Sequence, residues 1–268
     1  MTENIRPRRH PVPPRFERPS PIAFMLWLSA ALLFIWSFQS TGFSLSRFID
    51  GLPSMGRLVS EMLPPSTERL AAISYSLLET FQMALVGTVI GVLISVPLAV
   101  LATRHLSPHP LVYHAARSLI AFFRTVPDLI WALLFVVTVG LGPFAGALAI
   151  VIDKIGFCGR FFAEAMEETD KGPREALSAL GATRTGIIFS AIVPMAMPSF
   201  IATSLFSLEK AVRGSVILGL VGAGGIGVEL KVAFDLFAYS TVATIIICIF
   251  LLVLIVEQVS NWVRRKLI

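Results

Sequence analysis

Two charged couplets and a trio lie inside or at the ends of long apolar runs: Arg124 with Asp128, Asp153 with Lys154, and Glu209 with Lys210 and Arg213. A charge at bilayer depth costs about 2.5–3.5 kcal/mol on insertion scales. Arg124 and Asp128, like Glu209 and Arg213, are four residues apart, a spacing that lets two side chains pair on one helix. Each couplet has two readings. It can be a self-neutralising structural pair near a membrane interface. It can also belong to a polar route for an anion, where partly neutralised arginines attract without making a well too deep for release. Arg213 with Glu209, and Arg124 with Asp128, are the residues expected to line such a route.

Gly222-Ala223-Gly224-Gly225-Ile226-Gly227 fits G-x-G-x-x-G, a dinucleotide fingerprint, but no strand–helix unit surrounds it and Asp235 is too near to serve as the ribose acid. In a membrane reading, Gly214–Val228 is uncharged but too short to span, so it is expected to dip in and return. Gly222, Gly224 and Gly225 then either line the pathway or allow close packing at a helix or dimer interface. His105 and His109 are also four apart, but Pro108 and Pro110 break the helix that would align them on a metal. They read as loop residues. No Walker A, HExxH or G-x-S-x-G pattern occurs, so the chain has no visible means of hydrolysing ATP.

The elements that must position these residues are membrane helices. Of 268 residues, 55% are hydrophobic and 15% charged, against about 25% charged in a typical soluble domain. Mean hydropathy is +0.79. The net charge of +5 gathers at the ends of apolar runs, which suggests topology and not a nucleic-acid partner. Two cysteines, Cys158 and Cys248, make no disulfide framework or zinc spacing. Uncharged runs at Ser20–Ser46, Thr80–Thr103, Ile187–Leu208 and Leu236–Val256 are long enough for spans. Leu129–Ile152 is also uncharged but interrupted by Gly140-Leu141-Gly142-Pro143. It is one broken span, or two helices over roughly 118–141 and 144–160.

Charge favours the second reading. With six spans and both termini in the cytoplasm, Arg6, Arg8, Arg9, Arg15, Arg18, Arg104, Arg117, Arg160, Lys171, Arg174, Arg184 and Arg264-Arg265-Lys266 fall inside. Arg47, Arg57, Arg69 and Lys231 fall outside. The first run follows a basic, proline-rich arm and reads as an uncleaved signal anchor. Its arginines suit orientation and attraction to anionic membrane lipid.

Phe162–Arg184 is a long polar loop between two spans. Gly172-Pro173 is expected to break it, with a short helix over Arg174–Leu180 stopped at Gly181. Such a loop can dock a soluble partner or lie amphipathically on the bilayer. Glu175-Ala176-Leu177, then Gly181, then Pro194 resembles the EAA motif of ABC importer permeases, with Leu177, Ala191 and Val193 departing from the family pattern. The stretches Arg124–Leu133, Phe161–Glu168 and Val216–Gly227 sharpen the likeness, and residues 75–268 together resemble the permeases of phosphonate-type ABC importers.

The resemblance implies an all-α integral membrane protein of about six helices, type I ABC importer permease-like. It implies a permease for phosphonate or a related phosphorus oxyanion, with phosphate or phosphite as the alternative and, in another class, an integral-membrane enzyme acting on lipid phosphates. The loop would be a coupling helix in a groove of the ATPase, with Arg174 at its start, Glu175 as polar anchor, Ala176 as close contact and Gly181 as the turn. Implied partners are a second copy of the chain, ABC ATPase subunits holding ATP and Mg, and an extracytoplasmic solute-binding protein. The resemblance also implies no cofactor on this chain and a place in a bacterial inner (plasma) membrane. The expected organisation is a tail at 1–20, a signal-anchor helix and outer loop at 21–72, and a permease core at 73–268 with its coupling loop at about 159–186.

Overall fold

The computed structural model describes residues 20–267, and every regular element among them is helical. The basic tail expected over 1–20 therefore lies outside the described residues, apart from Ser20. Two compact units divide between Arg57 and Leu58.

In the first unit, α1 (Pro21–Ser40) starts where the Ser20 hydroxyl accepts the Ala23 amide at 3.2 Å, with Pro21 in the first turn. No α1 residue is buried, and Trp27 is 76% exposed. A helix apolar all round that buries none of its own residues is suited to lipid. α2 (Leu45–Glu61) begins in this unit and exposes Phe48, Ile49 and Leu52.

The second unit holds α3 (Leu70–Ala102), α4 (Pro110–Thr125), α5 (Asp128–Val139), α6 (Pro143–Glu167), α7 (Lys171–Ala179) and α8 (Arg184–Ile187). A π-helical turn, Ile188–Ile192, carries α8 into α9 (Val193–Leu220); α10 (Ile226–Asp235) and α11 (Tyr239–Leu267) follow. α6 is central and packs against α3, α4, α5 and α9. Buried Ala145, Ala149, Gly156 and Gly159 keep it slim enough for neighbours on several sides. One core joins Ala99, Ile120, Phe162, Met166 and Phe200, and a second joins Met83, Ala132, Ile150 and Val212.

Four helices among the described residues are long and apolar enough to cross a membrane: α1, α3, the continuous run Arg184–Leu220, and α11. The α4–α5 pair makes a fifth if it counts as one bent span. This replaces the expected six. The helix missing from the count is α6, which carries Asp153, Lys154, Arg160 and Glu164 within its 25 residues. A helix surrounded by other helices needs no continuous lipid-facing stripe, so its apolar signal is weak.

Two expected boundaries change. The helix expected over 118–141 breaks at Val126-Pro127, where α4 and α5 bend by 87°. Pro127 offers no amide to continue α4 and disfavours helical backbone at Val126, which is extended (φ −80°, ψ 122°). After α5, the glycine turn leads to α6, which packs back on α5, so two helices replace one broken span. The fifth span does not end at Leu208. α9 runs on to Leu220 because no helix breaker intervenes and its charges find partners on the helix and on α6. Asp153–Lys154 and Glu209–Arg213 consequently lie within helices, not at their ends.

α9 and α10 touch backbone to backbone. A Cβ at Gly227 would strike the Val216 carbonyl oxygen and come within 2.8 Å of Gly219 Cα. Neither neighbour is a flexible side chain, so Gly227→Ala must push the helices apart. The expected loss is about 1–3 kcal/mol or more, read as a lower thermal unfolding midpoint in detergent.

Candidate functional site

The second unit gathers its membrane charges around a cavity of about 260 Å³ between α5, α6 and α9, lined by Asp128, Asp153, Lys154, Lys210, Arg213 and Gly214 among others. Lys154 is the most enclosed, with its side chain 1% exposed. Its Nζ donates to Asp153 Oδ2 at 2.7 Å. The other oxygen of the same carboxylate, Oδ1, accepts from Lys210 Nζ at 3.4 Å. Arg213 Nη1 contacts Glu209 Oε1 at 2.7 Å, the i,i+4 pair expected from spacing. An ammonium buried this deeply is tolerated because its counter-ion is adjacent and hydrogen-bonded.

Arg124 and Asp128 do not form the other expected pair. The bend at Pro127 comes between them, so they are not four residues apart on one helix. Asp128 turns to the charged cavity, with Oδ1 accepting its neighbour Leu129's amide at 2.9 Å. Arg124 lines a separate cavity of about 400 Å³ with Arg117, His114 and Arg160. There Arg117 holds three elements together. It donates to Glu167 Oε2 at 2.8 Å and to the Ala102 carbonyl at 3.0 Å, while Glu167 Oε1 accepts the Arg104 amide at 3.0 Å.

Gly222, Gly224 and Gly225 lie away from the charged cavity, in the turn between α9 and α10. All three have positive φ. The turn is clamped: the Gly225 amide donates to Glu79 Oε1 at 3.2 Å, the Ile226 amide to Thr80 Oγ1 at 2.7 Å, and the Gly142 amide to the Gly222 carbonyl at 3.0 Å. A Cβ on Gly224 would sit 2.6 Å from the Pro143 backbone nitrogen. This geometry favours the close-packing alternative, and the stretch from Gly214 first completes α9 before it turns.

In the polar loop, α7 begins at Lys171, earlier than the expected Arg174. Asp170 caps it, accepting the Gly172 amide at 3.1 Å, and Pro173 sits in the first turn, where its missing amide is not needed. Gly172-Pro173 thus opens the helix. Gly181 takes the left-handed conformation (φ 77°) as the stop. Its amide donates to the Ser178 carbonyl and the Ala182 amide to Leu177, each at 3.0 Å, which is a Schellman closure. No α7 residue is buried; Glu175 and Ala176 are exposed, and Arg174 is half-buried. Arg174 and Glu175 line a shallow cavity with His105 and Arg184. Arg184 donates to the Ser107 carbonyl at 2.8 Å, tying this end to the loop after α3. Burial, and then the Arg174 charge, lowers the His105 pKa below its ordinary value, with Glu167 opposing. His109 caps α4, its Nδ1 accepting the Leu111 amide at 3.1 Å.

The Asp153–Lys210 contact was not legible from spacing, because its partners are 57 residues apart. The one signal was an adjacent Asp-Lys in an otherwise apolar stretch. Arg117–Glu167, 50 residues apart, had no comparable signal.

These elements build a helical multi-pass membrane protein with an exposed loop helix and a buried ionic cluster. The family described as the binding-protein-dependent transport system inner membrane component matches residues 91–268. The chain is 38% identical over 220 residues to the phosphite transport system permease protein PtxC of Stutzerimonas stutzeri, covering 82% of this chain and 80% of that protein. It is 37% identical over 245 residues to the phosphate-import permease protein PhnE of Mycolicibacterium smegmatis, covering 91% of this chain but 43% of that relative, so the chain spans less than half of that protein's length. A solved structure of the MetNI methionine ABC transporter in an inward-facing conformation matches at TM-score 0.67 and 23% identity, over 75% of this chain and 98% of that one, which shows the fold.

The chain belongs to the binding-protein-dependent transport system inner membrane component family and is an ABC importer permease subunit. The family is one of transport permeases and not of catalytic chains, which leaves the lipid-phosphate enzyme alternative without support.

Proposed function

We propose that this chain is the membrane permease of an ATP-driven importer for a small phosphorus oxyanion, with phosphite or phosphate ahead of phosphonate. The observation that carries the reading is the convergence of Lys154, Lys210 and Arg213 on one cavity, each beside a carboxylate. The two relatives named for phosphite and phosphate import support the ranking. Cations partly neutralised by Asp153 and Glu209 attract an oxyanion while keeping its well shallow, as conduction requires.

In this reading two copies pair, a solute-binding protein delivers the anion from outside, and both termini face the cytoplasm of a bacterial plasma membrane. Residues 73–268 act as the core. Arg174, Glu175, Ala176 and Gly181 form the surface that meets the ATPase, and ATP and Mg stay on that partner. ATP binding moves α7 and shifts the permease between states of different anion affinity. Arg213 with Glu209, and Asp128 from α5, line the route; Arg124 lies along a second cavity toward Arg117. The turn glycines Gly222, Gly224 and Gly225 set the packing of the route's wall.

The test is uptake of phosphite, phosphate and methylphosphonate by cells depending on this importer, with an ATPase copurifying. Arg213→Gln is expected to cut uptake about tenfold or more while assembly survives, since a hydrogen bond to a charged group contributes about 1.5–3 kcal/mol. Normal uptake by Arg213→Gln removes the arginine from the route.

A further inference from the structure

We propose that Lys210 and Arg213 together form a shallow way station for the PO3 face of the oxyanion, and that Asp153 is the internal carboxylate that empties it. This rests on the oxyanion reading above and adds the residues that set affinity and release.

Lys210 and Arg213 are three apart on α9, so their side chains neighbour each other over one cavity. They are its adjustable cations, with side chains 45% and 47% exposed, against 1% for Lys154 and 18% for Asp153. Asp153 serves two ammonium groups with one carboxylate, while Glu209 holds Arg213 and Asp128 lines the same cavity, so three cations meet three carboxylates. The contact of Asp153 with Lys154 is short, at 2.7 Å, and that with Lys210 is long, at 3.4 Å. Lys210 is thus the member that can leave. Its ammonium also lies 5.1 Å from the centre of the Phe157 ring, a second weak hold. Arg213 engages Glu209 through Nη1, and a guanidinium carries five N–H donors.

A group with three oxygens on one face can therefore bridge Lys210 and Arg213 without disturbing Lys154–Asp153. When it leaves, Lys210 returns to Asp153 and Arg213 remains on Glu209, so the two carboxylates compete with the substrate and keep its stay short. Asp128 on the facing helix repels an anion that drifts from the two cations. Phosphite, phosphate and phosphonates share the PO3 face and differ in the fourth substituent, which this pair does not contact. Discrimination among them falls to another part of the system, and the station treats them alike.

The test uses the full chain in dodecyl maltoside, a phosphorus-free detergent, and reads broadening of the ³¹P resonance of added phosphite. The wild type broadens the line. Lys210→Gln weakens binding about tenfold, the loss of one charge-assisted contact. The charge-balanced double variant Asp153→Asn with Lys154→Met, which leaves no buried ammonium unpaired, binds phosphite several-fold more tightly because the competitor is gone. Phosphate and methylphosphonate behave as phosphite does, and excess phosphatidylglycerol leaves the broadening in place. No broadening by the wild type, unchanged binding in Lys210→Gln, or weaker binding in the double variant overturns the proposal. Displacement by phosphatidylglycerol also overturns it, assigning the cations to a lipid headgroup. Uptake separates the two levels. If the wild-type importer takes up phosphite while the Lys210 or double variant gives the wrong result, the way station fails and the transport reading stands. If it takes up none of the three anions, both fail.

Discussion

Asp153→Asn alone is expected to destabilise the protein by about 3–5 kcal/mol, the usual cost of removing one partner from a buried ion pair. Lys154 is the reason. Its side chain is 1% exposed, and its ion pair is with Asp153 Oδ2 at 2.7 Å. Lys210 also loses its contact, but its half-exposed side chain can turn away from the cluster. Lys154 cannot, because α6 is packed against α3, α5 and α9 around it. A charged ammonium without a counter-ion in such a place pays most of its desolvation with no return. Adding Lys154→Met removes that charge and replaces it with an apolar side chain of similar reach, so the double variant is expected to regain most of the loss. Thermal unfolding of the three proteins in detergent measures this. Equal midpoints for the single variant and the wild type would mean that Lys154 does not depend on Asp153.

Glu175→Arg is expected to lower uptake about 30-fold or more with little change in folding, since disrupting one member of a buried interfacial charge pair costs about 2–5 kcal/mol. α7 buries none of its own residues, yet it is held firmly at both ends, by Asp170 at its start and by the Gly181 closure at its finish. A rigid helix that contributes little to its own core has its surface free for another protein. Glu175 is exposed and in contact with no core, so reversing its charge leaves the fold intact and acts on the ATPase docking proposed above. Uptake, the unfolding midpoint and copurification of the ATPase read the three quantities separately. Normal uptake with the ATPase retained would remove α7 from the coupling role.

What the residue order determined is what a helix does within itself. Long uncharged runs made helices long and apolar enough to cross a membrane, because no charged side chain interrupted them over the thickness of a bilayer. Glu209 met Arg213 because four residues bring side chains to one face. Gly181 ended α7 because a left-handed stop suits a residue without Cβ. The family likeness rested on the same kind of local spacing, and the family match covers residues 91–268.

Tertiary structure decided which helices face one another. A proline between Arg124 and Asp128 separated two residues that spacing alone would pair, and sent them to different cavities. Asp153 found Lys210 across 57 positions, a contact set by the approach of α6 to α9 and by no periodicity in either. α6 does not read as a span because Asp153, Lys154 and Arg160 interrupt its apolar run, charges it can carry with α3, α4, α5 and α9 packed against it. The glycines after α9 proved to be a clamped turn because Glu79, Thr80 and the turn before α6 close on it from elsewhere in the chain. Local backbone geometry repeats every few residues and can be read along a chain, whereas the pairing of distant helices depends on how all their surfaces fit at once.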